Sequence, residues 1–194
     1  MFTGIVQEIG TVAKVERPRG LIRLTVTAPK TAGRIQRLES VAVNGVCLTA
    51  VSVRPPAITF EAIGETQRVT TLGAARRGGR VNLEPSLRLT DRLNGHVVMG
   101  HVDGVGTVVA RRERPAELAL TVRVGPFVRR FLVPKGPVTL DGVSLTVGRT
   151  VTGSAFTVHL IPETLRQTTL RALAAGDRVN VEADYLAKLT VGRR

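Results

Sequence analysis

Apolar and polar residues alternate with period two over several stretches of the chain. Ile22, Leu24 and Val26 alternate with Arg23, Thr25 and Thr27, and Ile58 and Phe60 with Thr59 and Glu61. Later, Leu118, Leu120, Val122 and Val124 alternate with Ala119, Thr121 and Arg123, and Phe156, Val158 and Leu160 with Thr157 and His159. This period puts every second side chain on one face, as in half-buried antiparallel strands. Asn44-Gly45 and Asp141-Gly142 stand between apolar runs and predict tight hairpin turns. Apolar spacing shifts toward three and four over residues 65–72, 127–132 and 163–173, which predicts short helices there.

The same blocks occur twice in the same order. Gly10-Thr11-Val12 returns 96 residues later as Gly106-Thr107-Val108. Asn44-Gly45-Val46-Cys47-Leu48-Thr49 returns at an offset of 97 as Asp141-Gly142-Val143-Ser144-Leu145-Thr146. Glu65-Thr66, Thr70-Thr71-Leu72 and Arg80-Val81-Asn82-Leu83-Glu84 all return at an offset of 98. A period this long means a duplicated domain rather than a solenoid. The expected division is 1–90 and 91–184, joined near residues 86–95. About six short strands per copy predict a small closed barrel, which leaves no exposed sheet edge.

Composition narrows the function classes. The chain has 194 residues, 43% of them hydrophobic, which is enough to bury a sizeable core. No apolar stretch is long enough for a membrane-spanning helix. The first residues carry no basic region followed by a long apolar run, so the expected location is the cytoplasm. The single cysteine, Cys47, forms no internal disulfide and no thiolate metal site. The net charge is +13, but four of the 28 basic residues are lysine and the arginines are dispersed. Aromatic content is 3% with no tryptophan, so there is little on which to stack bases, and nucleic-acid binding is not expected.

The copies differ where side chains carry chemistry. Cys47 faces Ser144, Asn44 faces Asp141, and Ile5 faces His101 through the Gly4/Gly100 match. Two like pockets with unlike polar groups suit a reaction between two molecules of one compound. His96 and His101 lie five residues apart without a further ligand cluster, so no metal is expected. His159, on a strand face between core positions, reads as structural.

At these residues the chain resembles the riboflavin synthase family. The resemblance rests on Met1-Phe2-Thr3-Gly4-Ile5-Val6, on Ser40-Val41-Ala42-Val43-Asn44-Gly45-Val46-Cys47-Leu48-Thr49, and on Gly95-His96-Val97-Val98-Met99-Gly100-His101-Val102. It also rests on Asp141-Gly142-Val143-Ser144-Leu145-Thr146-Val147 and Leu160-Ile161-Pro162-Glu163-Thr164-Leu165, and it runs the length of the chain. It implies an all-β fold of two tandem six-stranded Greek-key barrels followed by a C-terminal helical segment. It implies an enzyme that dismutates two molecules of 6,7-dimethyl-8-ribityllumazine to riboflavin and 5-amino-6-ribitylamino-uracil, with no metal or redox cofactor. The implied partners are that small molecule, further copies of the chain in a homotrimer, and lumazine synthase, with neither nucleic acid nor membrane.

The resemblance also implies site residues. His101, Cys47, Ser144 and Phe2 are the expected catalytic group. One ring is expected around Gly4, Ile5, Val6, Ser40, Cys47, Leu48 and Thr49, with Glu61, Ala62, Ile63, Gly64, Glu65 and Thr66. The other is expected around Gly100, His101, Val102, Lys135, Ser144, Leu145 and Thr146, with Leu160, Ile161, Pro162, Glu163, Thr164 and Leu165. Asp184 matches a family site carboxylate. His101 carries an imidazole, a group that suits proton handling. Phe2 reads either as a core anchor or as a flat wall beside the ligand. The family's helix normally runs well past the last strand and holds the trimer. Residues 185–194 read as the start of that helix cut short, and a helix of this length is marginal alone, so a weaker trimer is expected. The competing reading is a lumazine- or flavin-binding protein of the same fold without turnover.

Overall fold

The computed structural model describes residues 1–191. The last three residues of the expected C-terminal tail lie outside the described residues. The period-two stretches form strands. In the first half these are β1 (Glu8–Glu16), β2 (Leu21–Thr27), β3 (Ser40–Val43), β4 (Val46–Arg54), β5 (Ala57–Ile63) and β6 (Arg80–Pro85). In the second half they are β7 (Gly104–Arg114), β8 (Glu117–Arg123), β9 (Pro137–Leu140), β10 (Val143–Thr152), β11 (Ala155–Leu160) and β12 (Arg178–Ala183). Each set closes into an antiparallel barrel. The order β1-β2-β5-β4-β3-β6 has the same circular sequence as β7-β8-β11-β10-β9-β12.

Each barrel is filled by its own apolar core. Ile22, Leu24, Val26, Ile58 and Phe60 point into the first, and Leu118, Leu120, Val122, Phe156 and Val158 into the second. The intervening polar side chains pair on the outside: the Thr25 and Thr59 hydroxyls lie 3.3 Å apart, and Thr121 and Thr157 lie 2.9 Å apart. His159 is exposed on β11, 3.2 Å from Glu117.

The predicted helical patches are shorter than their spacing suggested. Residues 65–72 divide into α2 (Gly64–Val69) and a 3-10 turn over Thr71–Ala74, after α1 (Pro29–Ala32). Residues 163–173 divide likewise into α4 (Pro162–Gln167) and a 3-10 turn over Thr169–Ala172, after α3 (Pro126–Arg129). The break has one cause in both copies. The Thr70 and Thr168 hydroxyls donate to the carbonyls of Thr66 and Thr164 and accept from the N–H of Leu72 and Leu170, ending one helix and capping the next. The segment α5 (Tyr185–Val191) follows β12.

The barrels meet at a pseudo-two-fold axis through the two predicted turns. Asn44 and Gly45 have φ of 46° and 76°, and Asp141 and Gly142 have 44° and 77°. Positive φ at both central residues is what a type I′ hairpin needs. A Cβ on Gly45 would lie 2.6 Å from the Gly142 nitrogen, and one on Gly142 would lie 2.7 Å from the Gly45 nitrogen. Glycine is therefore required twice over, by conformation and by the approach of the two backbones. Around this contact Asn82 donates to the Asp141 carbonyl at 2.9 Å and accepts from the Thr169 N–H at 2.8 Å. Asn180 mirrors it, with the Asn44 carbonyl at 2.8 Å and the Thr71 N–H at 2.7 Å.

The axis is chemically asymmetric at one point. The Asn44 Oδ1 accepts from the Asn82 N–H, and its counterpart Asp141 accepts from the Asn180 N–H through a carboxylate. Burial pushes the Asp141 carboxyl up to about 7, against the opposing pull of the Asn180 N–H. A carboxyl with a raised folded-state value binds more protons in the folded than in the unfolded chain, so its contribution to stability falls as pH rises from about 4 through about 7. Asp141→Asn, which copies the first barrel's own residue, is expected to flatten this dependence. It should raise stability at pH 8 by on the order of 1–3 kcal/mol with little change at pH 3, as read by urea unfolding at the two pH values.

Candidate functional site

Two short extended arms precede the barrels and cross between them. Phe2 and Val98 pair as an antiparallel bridge, Phe2 N to Val98 O at 2.7 Å and Val98 N to Phe2 O at 3.1 Å. Each arm is clamped by a buried glutamate from the last strand of its own barrel. Glu84 on β6 accepts from the Thr3 N–H at 2.7 Å, the Thr3 hydroxyl at 2.8 Å and the Gly4 N–H at 3.0 Å. Glu182 on β12 accepts from the Met99 N–H at 2.8 Å and the Gly100 N–H at 3.0 Å. Burial raises both carboxyls above the usual carboxylate range, and the N–H bonds pull the other way.

Beyond its clamp each arm reaches the opposite barrel. The Gly4 carbonyl accepts from the Ser144 N–H at 2.7 Å, and the Gly100 carbonyl from the Cys47 N–H at 2.9 Å. Gly4 and Gly100 have φ of +77° and +75°, and a Cβ on either would lie 2.6 Å from the Ser144 Cβ or 2.7 Å from the Cys47 Cβ. Val6 accordingly packs on the second barrel's core and Val102 on the first. This corrects the expected grouping. Gly4, Ile5 and Val6 join Ser144 rather than Cys47, and Gly100, His101 and Val102 join Cys47 rather than Ser144. Proximity in sequence misleads here, because the Phe2–Val98 bridge swaps the arms.

The other expected site residues lie at equivalent ends of the two barrels. Cys47 and Ser144 are the second residues of β4 and β10 and are half-buried, while Thr49 and Thr146, two residues on, are exposed. Ser40 is opposite Thr49 across β3–β4, and Pro137 occupies the matching place opposite Thr146. Lys135 has φ of 66° and is exposed, just before β9. The antiparallel pairing of β4 with β5 sets Ala62 and Ile63 near the start of β4, followed by Gly64, Glu65 and Thr66 at the head of α2. Leu160 ends β11, and Ile161 to Leu165 lead into α4. Ile63 and Ile161, at matched positions, are 59% and 61% exposed, so each site carries an uncovered apolar residue. Glu61 points elsewhere and pairs with Arg23 across β2–β5. Leu48, Leu145 and Leu160 are buried in the barrel cores.

Phe2 resolves as a core anchor. It is fully buried with Ala42 and Val98, and Cys47 packs on this small inter-barrel cluster. The Ser144 side is polar instead. His96 Nδ1 lies 2.8 Å from the Ser144 hydroxyl oxygen, a contact that sequence reading missed. A Cβ on Gly95 would sit 3.0 Å from the Ser144 Cβ, so glycine there leaves room for the serine. Among the described residues no three His, Cys, Asp or Glu side chains are grouped to hold a metal ion. Of two clefts of about 840 and 610 Å³, the larger is bounded by Thr3, the expected site residue Ile5 and the 86–94 connection, and neither includes Cys47 or Ser144.

Phe2→Ala is expected to cost about 3–5 kcal/mol of stability, as for other fully buried aromatics. Cys47 should then react faster with a thiol reagent, since the ring that packs beside it is gone; urea unfolding and the labelling rate check the two effects.

Comparison with known proteins agrees with this architecture. The lumazine binding domain family matches twice, over residues 3–86 and 99–184. The chain is 43% identical over 191 residues to riboflavin synthase of Mycobacterium tuberculosis, covering 97% of this chain and 95% of that one. It is 34% identical over 188 residues to riboflavin synthase of Bacillus subtilis, covering 97% and 87%. Among solved structures it resembles LumP complexed with riboflavin, at TM-score 0.88 and 24% identity over 94% of this chain and 99% of that one. It also resembles LumP complexed with 6,7-dimethyl-8-(1'-D-ribityl) lumazine, at TM-score 0.85 and 26% identity over the same shares. With both repeats matched and curated relatives aligned over nearly its whole length, the chain belongs to the riboflavin synthase family of tandem lumazine-binding barrels.

Proposed function

We propose that the chain is a riboflavin synthase that passes a four-carbon unit between two molecules of 6,7-dimethyl-8-ribityllumazine, giving riboflavin and 5-amino-6-ribitylamino-uracil. The observation that carries this reading is the pair of matched sites with unlike polar groups: Cys47 with His101 in one, Ser144 with Ile5 in the other. Two similar frames suit two identical ligands, and different side chains let each do a different half of the reaction.

The C7 methyl of the lumazine is acidic because the ring delocalises the carbanion. The protein's task is then to hold two flat rings in register, move protons and shelter an anion. Holding two reactants in reactive geometry supplies up to about 7–11 kcal/mol of barrier reduction. Backbone groups at the arm–strand junctions can read the uracil-like edge. Hydroxyls of Ser40, Thr49 and Thr66 on one side, and of Thr146 and Thr164 with the Lys135 ammonium on the other, suit the ribityl chain. His101 is exposed, next in the chain to the Gly100 whose carbonyl accepts from the Cys47 N–H, and suits proton transfer. Asp184, just past β12, is assigned to the site with them.

Both sites are open, and each displays a bare isoleucine. A neighbouring chain that lays its second barrel against the first barrel's site would cover both and exclude water. We therefore assign a trimer of the family's kind, and the family likeness rather than the geometry is the ground for placing it in the cytoplasm with lumazine synthase supplying substrate. The likeness to LumP complexed with 6,7-dimethyl-8-(1'-D-ribityl) lumazine supports a second reading, binding without turnover.

Purified protein mixed with the lumazine is expected to generate riboflavin absorbance, and its failure to do so while still binding would favour the second reading. His101→Ala should lower turnover by roughly 10²-fold or more, the usual size of a lost proton-transfer group, and still bind the lumazine. Cys47→Ser should cost less, because serine is the group that the other barrel uses at that place.

A further inference from the structure

The two sites differ in a way that the repeat does not explain. Beside Cys47 the inter-barrel space is filled by hydrocarbon: a Cβ on Gly100 would lie 2.9 Å from the Phe2 ring. Beside Ser144 it holds an imidazole, with His96 Nδ1 2.8 Å from the hydroxyl oxygen. His96 is half-buried and sits on the connection between barrels, where its N–H bonds the Thr3 carbonyl at 3.1 Å and fixes the backbone that carries the ring. Ser144 is fixed in turn by the Gly4 carbonyl. Both members of the pair are thus held by the first arm.

We infer that His96 is a positioning residue for the Ser144 hydroxyl, turning the second barrel's site into the one that removes the ring-methyl proton. The inference rests on the function proposed above. In the step, the methyl C–H proton passes to Ser144 Oγ while the Ser144 hydroxyl proton passes to His96 Nδ1. The electron pair stays on carbon and spreads into the ring, and no oxidant or reductant is consumed. Burial lowers the His96 pKa from the ordinary histidine value, against the nearby charge of Asp184, which favours the neutral imidazole that can accept a proton. Among the described residues Cys47 has no such hydrogen-bonded neighbour in the first barrel, where His101 is exposed instead.

The test follows two reactions with 6,7-dimethyl-8-ribityllumazine: deuterium exchange of the C7 methyl in D2O by NMR, and riboflavin formation. It compares wild type, His96→Ala, His96→Gln, Ser144→Ala and the His96→Ala/Ser144→Ala double variant, with lumazine binding measured by fluorescence. The expected result is that His96→Ala binds the lumazine but slows the protein-dependent exchange at least tenfold, within the range for general base catalysis. The acid limb of the wild-type exchange profile should disappear with it, and the double variant should be no slower than the worse single one. His96→Gln, which keeps a polar group but cannot take a proton at this pH, should bind and still be slow; it decides the matter if His96→Ala does not fold. Wild-type exchange and an unchanged acid limb in the His96 variants would overturn the inference, as would fully additive losses in the double variant. Exchange that depends on His96 without riboflavin formation would keep the inference and overturn the proposed function. A wild-type protein that accelerates neither would overturn both.

Discussion

The crossing of the two arms is the constraint on which the rest of the molecule depends. Each arm is tied to its own barrel by a buried carboxylate and delivers its end to the other barrel. Burying a carboxylate is costly unless its oxygens are filled with hydrogen bonds. Glu84 and Glu182 take theirs from the arm backbones, so an arm that leaves its place strands a buried acid. Glu84 and Glu182 are only 5% and 3% exposed, so both clamps sit well away from water. Neither candidate site can therefore be assembled from one barrel alone. The backbone N–H of Cys47 is satisfied by the second arm and that of Ser144 by the first.

Symmetry and its breaking are divided between layers. What lies at the axis is duplicated: the Gly45/Gly142 contact, the Asn82/Asn180 exchange and the threonine caps of the helices. The glycine contact is a backbone-to-backbone fit where one methyl group is too many, and the other two are side-chain-to-backbone hydrogen bonds. What faces outward has diverged. Leu38 and Lys135 share a positive φ of 76° and 66°, yet one is apolar and the other charged. Ser40 is matched by Pro137, Ile5 by His101, and Cys47 by Ser144. Duplication fixes two frames, and the exposed rim of each is free to take up different chemistry. Asp141 is the exception at the axis, a titratable group where its twin is neutral.

The barrels were legible because their interiors are apolar and strand geometry repeats every two residues. Ile22, Leu24 and Val26 could hardly be read otherwise. The polar machinery between barrels was hidden by the same rule. Asn82 and Glu84 alternate with Val81 and Leu83, which predicts an outward polar face, yet all four are buried because a second barrel covers that face. The repeat of Arg-Val-Asn-x-Glu was visible as repetition, not as a set of clamps. The swap of Gly4–Val6 with Gly100–Val102 left no trace in local pattern, since it arises from one isolated bridge between residues 96 apart. His96 showed only its spacing from His101, and its partner lies 48 residues away. Long-range polar contacts carry no periodicity, so period-based reading passes over them.

The relative size of the effects says where the catalytic burden falls. Proton transfer by one placed group is worth about 10²–10⁴-fold, or roughly 3–5 kcal/mol, while fixing two reactants in register is worth up to about 7–11 kcal/mol. The larger part therefore depends on geometry that no single side chain supplies. A frame meant to hold two flat rings must resist relative motion of its halves, and hydrogen-bonded buried polar groups do this better than apolar contact, because each has one satisfied arrangement. The described chain has such groups at the axis, at both clamps and at both arm ends, and every buried side-chain polar atom among them is paired. An open rim set on a rigid frame is what a site needs if a second chain is to close it. The rim can then meet its partner without the frame having to move.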